Sequence, residues 1–97
     1  MKITSFKEFA ELPEGTVYSY FEPFITRGLM RKGETIYSEE RPIDFFFASI
    51  QAECEMMEPP AVDTIEGRWG LFDDEQLFAV YEPEDIAAMA RMMGINP

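Results

Sequence analysis

The sequence predicts an α+β domain: a small antiparallel sheet of about four or five strands with two or three helices packed on it. Three observations lead there. Of the 97 residues, 46% are hydrophobic and 14% aromatic, enough to bury a single core and to argue against intrinsic disorder. Short runs of β-branched and aromatic residues alternate with Gly, Pro and acidic turn signals, as antiparallel strands do. Helix-capping patterns stand near both ends of the chain.

The elements follow in order. Ser5-Phe6-Lys7-Glu8 fits a capping box, and Phe6, Phe9 and Ala10 put an apolar stripe on a short helix that Pro13 and Gly15 end. TVYSYFE, residues 16–22, reads as a strand closed by Pro23. A second strand is expected near Leu29 and Met30. A turn at Lys32-Gly33 or Gly33-Glu34 would lead to a third around residues 35–37. In PIDFFFASIQAECEMMEPP, residues 42–60, the positions Ile43, Phe46, Phe47, Ile50, Cys54 and Met57 follow helical spacing and predict an amphipathic helix. IDFFF also fits a buried strand running into a shorter helix, and Pro59-Pro60 ends either version. IEGRWGLF and QLFAVYE, joined by Asp73, Asp74 and Glu75, predict a hairpin over residues 65–82. Leu77, Ala79 and Tyr81 would face one side and Phe78 and Val80 the other, so this strand is central and covered twice, or meets a partner on one face. The last element is a helix over 83–93, with Pro83 at N1, Glu84 and Asp85 in its first turn and Gly94 at C′. Its expected buried stripe is Ile86, Met89, Ala90 and Met93.

Composition excludes much chemistry. There is no histidine, the commonest general base and metal ligand, so no Ser-His-Asp or Cys-His pair can exist. One cysteine, Cys54, makes neither an internal disulfide nor a Cys/His zinc site, and it lies on the expected apolar stripe as a small core residue. Asp73, Asp74 and Glu75 match no calcium-loop pattern, and the glycines form no phosphate-binding fingerprint. No catalytic residue, metal or other cofactor is expected. The cluster Arg27, Arg31, Lys32 and Arg41 reads as a solvated strand face more readily than as a phosphate site. The longest apolar run, FFFA at 45–48, is too short to cross a bilayer, and MKITSFKEFAEL is no signal peptide. A single cysteine fits a reducing cytoplasm.

Charge is the unusual quantity. The chain carries −11, and the excess is lopsided. Residues 1–41 hold seven acids and six bases, whereas residues 42–97 hold twelve acids against Arg68 and Arg91 alone. Such a field opposes direct DNA or RNA binding, whose affinity comes largely from phosphate neutralisation. It favours a basic protein surface instead. The residues expected to meet that partner are Glu53, Glu55, Glu58, Asp63, Glu66, Asp73, Asp74, Glu75, Glu82, Glu84 and Asp85. A homodimer through apolar surface is also compatible with the sequence.

The small size, missing histidine, lopsided acidity and compact α+β layout resemble small acidic proteins encoded by phages and mobile elements, including anti-CRISPR and other host-defence inhibitors. ELPEGTVYSYFEP, residues 11–23, also looks like the opening of short phage reading frames of unassigned function. The resemblance implies a non-enzymatic inhibitor in the host cytoplasm. It would offer carboxylates in place of nucleic acid to a DNA- or RNA-handling protein, such as a CRISPR effector. It assigns no residue a role.

Overall fold

The computed structural model describes residues 1–23, 25–51 and 65–95. Its elements are β1 (Lys2–Thr4), α1 (Phe6–Ala10), β2 (Val17–Glu22), β3 (Ile25–Ser38), β4 (Arg41–Gln51), β5 (Ile65–Arg68), β6 (Leu77–Val80) and α2 (Pro83–Met92). All six strands form one antiparallel sheet in the order β1-β6-β2-β3-β4-β5. The α+β class holds, with six strands in place of four or five and with two helices, one of them C-terminal.

Helix α1 has only five residues, too few to persist alone, and tertiary packing holds it. The Ser5 hydroxyl accepts the Glu8 N–H at 3.3 Å, starting the helix where the capping pattern places it. Phe6, Phe9 and Ala10 are buried against one face of the sheet. The Phe9 ring stacks on Phe78 with centroids 4.2 Å apart and meets Tyr18 and Phe45 edge-on at 4.6 and 5.0 Å. Phe6 stacks on Trp69 at 4.9 Å. The core is thus mostly aromatic, with four of the strands contributing: Tyr18 from β2, Met30 from β3, Phe45 from β4, and the alternate pair Phe78 and Val80 from β6.

Three features of the sheet depart from the sequence expectation. First, β3 is one long strand of 14 residues with no turn at Gly33. The turn falls at Glu39 and Glu40, both at positive φ (52° and 66°), joining Ser38 to Arg41 as a two-residue hairpin loop. Gly33 lies inside the strand for another reason: a Cβ there would meet the Phe46 carbonyl oxygen at 3.1 Å. Second, the expected helix beginning at Ile43 is strand β4 as far as residue 51. The run is apolar on both faces of a pleat, so it mimics helical spacing. Neighbouring rings nevertheless part to opposite faces as on a strand, Phe45 at 0% and Phe46 at 47% exposure. The remainder of that stretch, with Cys54, lies outside the described residues.

Third, the expected 65–82 hairpin does not form. β5 pairs with β4 at one edge, while β6 lies between β1 and β2. The Asp44 carboxylate explains the departure. Fully buried on β4, it accepts the backbone N–H groups of Phe45 and Gly70, each at 2.8 Å, and the Arg68 guanidinium. With the Trp69 N–H on the Phe45 carbonyl at 3.0 Å, this holds residues 68–70 to β4 and sends Trp69 under α1. β6 is then central, as its two apolar faces suggest, with Phe78 and Ala79 both buried.

Lys32 also departs from expectation. It is 2% exposed, not part of a solvated basic face. Its ammonium donates to the Gly33 carbonyl at 3.1 Å and to Thr35 Oγ1 at 2.7 Å, and Thr35 donates to Ala10 O at the end of α1. Burial pushes its pKa down, against the opposing pull of Glu14.

Helix α2 begins at Pro83 and ends in a Schellman arrangement: Gly94, at φ 78°, donates to Arg91 O at 3.0 Å and Ile95 to Ala90 O at 2.8 Å. Its start and stop match the sequence reading, but its burial does not. No residue of α2 is buried: Ile86 is 39% exposed and Met93 67%.

Candidate functional site

Two features stand out as surfaces for a partner: the carboxylates and the groove beside α2. Of the eleven predicted contact acids, Glu53, Glu55, Glu58 and Asp63 lie outside the described residues. The other seven occupy three places. Glu66 is exposed on β5, the edge strand. Asp73, Asp74 and Glu75 are exposed in the loop before β6, where Asp73 Oδ1 accepts the Glu75 N–H at 3.0 Å in a local turn. Glu82, Glu84 and Asp85 gather where β6 passes into α2.

The last two groups therefore lie at opposite ends of β6. Six residues of mostly extended chain, 76–81, separate Glu75 from Glu82, roughly 20 Å at about 3.3 Å per residue. The acids form separate patches, not one row. Within the α2 patch, Asp85 is already engaged. It accepts the Glu82 N–H at 2.8 Å and pairs with the Met1 amine at 2.5 Å. The amine hydrogen bond, followed by that of Glu82, holds its carboxyl below the ordinary range. Glu82 and Glu84 stay exposed. Among the described residues, no three Cys, Asp or Glu side chains come together as a cation-binding set. No described helix is long and apolar enough to cross a membrane.

The groove was not foreseen from the sequence. The segment between α1 and β2, the ends of β2 and β6, and α2 enclose about 780 Å³ of open space. Leu12, Val17, Val80 and, from α2, Ile86, Ala87 and Ala90 supply its apolar lining. Glu14 and Glu82 also line it, and Lys2 is its one base. The helical stripe Ile86, Met89, Ala90 and Met93 was the available signal. Of that stripe only Ile86 and Ala90 line the groove, joined by Ala87, while Met93 stands 67% exposed.

A second hollow, of about 480 Å³, sits on β3, β4 and β5 around Phe46, with Arg31 and Arg68 on its lining. Glu66 shares that lining and Arg68 is tied to Asp44, so little free positive charge remains there. Comparison with protein-family models, curated proteins and solved structures finds no match to this chain.

Proposed function

We propose that this chain is a non-enzymatic inhibitor that binds a basic, nucleic-acid-handling host protein, such as a CRISPR effector, by presenting carboxylates where that protein expects phosphates. One observation carries the reading: residues 42–97 contain twelve acids and only Arg68 and Arg91 as bases. The fold sharpens the imbalance, because Arg68 is paired internally with buried Asp44 while Glu66, Asp73, Asp74, Glu75, Glu82 and Glu84 face solvent. Separate acidic patches suit a partner with basic groups at more than one place. Charge of this density also speeds encounter by long-range steering.

The test is a complex isolated from host lysate and then challenged. Several hundred millimolar salt, or added duplex DNA or RNA, should release the partner. Lys substitutions at Asp73, Asp74 and Glu75, and separately at Glu53, Glu55 and Glu58, should weaken the complex. A complex indifferent to salt, nucleic acid and both substitution sets overturns the reading.

The second reading is an adaptor domain that pairs through apolar surface. The observation favouring it is α2, which has no fully buried residue, while Met92 at its end and Met93 just beyond stand 89% and 67% exposed. Salt-tolerant association lost on charge insertion at Met92 would select it. A metal-dependent enzyme on the 73–75 loop is the least supported; it requires a Mg²⁺- or Ca²⁺-dependent rise in Tm that Asp73→Asn and Asp74→Asn abolish.

A further inference from the structure

We propose that the hollow where the start of α1, the start of β4 and the loop before β6 meet is a binding site for a small zwitterion with an apolar body: an aromatic amino acid or an apolar dipeptide. The inference stands apart from the inhibitor reading and needs no partner protein.

The hollow encloses about 490 Å³, inside the range of roughly 300–1,000 Å³ usual for small-molecule sites. Its apolar lining is Phe6, Pro42, Ile43 and Phe72, from three stretches far apart in the sequence. Phe6 is 4% exposed and stacks on Trp69, so the core fixes that side. Phe72 is the opposite case, 57% exposed and at φ 51°, a conformation that L residues rarely adopt. The Arg68 guanidinium lies 6.0 Å from its ring centre, and buried Asp44 holds both that guanidinium and the Gly70 N–H. An exposed ring held in this way offers apolar area and a π face to a ligand.

Charge decides the ligand's form. Lys7, Arg41 and Asp74 share the lining, and all three are exposed. None of them takes part in a hydrogen bond or ion pair among the described residues. Two bases and an acid therefore border one hollow without neutralising each other. Glu8 and Glu40, their neighbours in the chain, are not on the lining, and the Ser5 hydroxyl beside them is used as the α1 cap.

A plain anion would leave Asp74 facing a like charge, and a plain cation would do the same to Lys7 and Arg41. A molecule with a carboxylate and an ammonium meets both demands. Its carboxylate accepts from Lys7 and Arg41, and its ammonium donates to Asp74. An apolar side chain on the same molecule covers Phe6, Ile43 and Phe72. In an amino acid both charges sit on one carbon, whereas an extended dipeptide holds its ends about 7 Å apart.

The probes are L-phenylalanine and the dipeptide Leu-Phe, each with two blocked forms. N-acetylation removes the ammonium and C-terminal amidation removes the carboxylate. Titration calorimetry and amide chemical shifts on the full chain read the result. Expected is saturable binding of at least one zwitterion with a Kd of about 1 mM or tighter. Shifts should concentrate at residues 5–7, 41–43 and 72–74, and blocking either end should weaken binding about tenfold. The tighter of the two parents assigns the spacing of the charges. Asp74→Asn should weaken the parent about tenfold without weakening its N-acetylated form. Lys7→Gln with Arg41→Gln should weaken the parent likewise without weakening its amide. Blocked forms that bind as well as their parents would reduce the hollow to a plain ion or ring site and overturn the proposal. No saturable binding of either zwitterion, or shifts that miss these three stretches, would overturn it too.

Discussion

Asp44 shows how one side chain sets the path of the chain. Its carboxylate is fully buried, and burial alone would raise its pKa. The Gly70 N–H, the Arg68 guanidinium and the Phe45 N–H outweigh that and hold it below the ordinary value of 3.8. A carboxyl depressed in the fold adds stability that is present above its unfolded pKa and lost as pH falls through the folded one. Asp44→Ala leaves two backbone amides without their acceptor and should destabilise by about 2–4 kcal/mol. Asp44→Asn keeps an acceptor for Gly70 but loses the charge, so it should cost less and flatten the acid limb below about pH 4. Urea unfolding followed by Trp69 emission at neutral and acidic pH reads both. Trp69 suits the purpose because it is the one tryptophan and only 5% exposed. Ser19 does comparable work in the sheet. At the β2–β3 register shift, Gly28 at φ 70° has its carbonyl accept the Ser19 hydroxyl, which in turn accepts from Tyr81 at 2.8 Å. The bulge thus keeps its hydrogen bonds.

At the scale of elements, local signals were readable and pairing was not. Ser5, Pro83 and Gly94 mark helix ends because caps act within four residues of backbone, and the structure places them as read. β4 could be read as helix or strand because a run that is apolar on both faces of a pleat satisfies periods of 2 and 3.6 alike, and only its neighbours β3 and β5 choose between them. The 65–82 hairpin failed because its competitor was the Asp44 carboxylate, twenty-odd residues upstream, which no local window contains. The β3–β4 turn was missed since Glu39 and Glu40 are poor residues for positive φ. That misfit makes a prediction. A two-residue loop with both residues at positive φ favours Asn-Gly, so Glu39→Asn with Glu40→Gly should stabilise the protein by about 1–2 kcal/mol. Part of the gain comes from removing two adjacent like charges. An unchanged or lowered denaturation midpoint would mean the turn is held by something other than its own conformational preference.

At the scale of the molecule, the fold has to be stable in spite of its charge. A core built on six rings from α1, β2, β4, β6 and the segment after β5 gathers close aromatic pairs. Pairs of this kind contribute about 0.5–1.5 kcal/mol each beyond their area. Against that stands self-repulsion from −11, with twelve of nineteen acids in residues 42–97. Among the described residues the internal ion pairs are few: Asp44 with Arg68, Glu22 with Arg27, and Asp85 with the Met1 amine. The opposition predicts that salt stabilises this protein. Raising ionic strength from about 10 to 150 mM shortens the screening length from about 30 to 8 Å, less than the spacing of the acidic patches along β6. Tm should therefore climb steeply over that interval and flatten above it. The salt slope should shrink in a variant with Asp73, Asp74 and Glu75 replaced by Asn, Asn and Gln, which removes charge without touching the core. A basic partner relieves the same repulsion by supplying the missing cations, so the largest Tm gain on binding belongs at low salt. A partner whose stabilising effect is equal at low and high salt would be bound through apolar surface alone, and the carboxylates would then have no part in recognition.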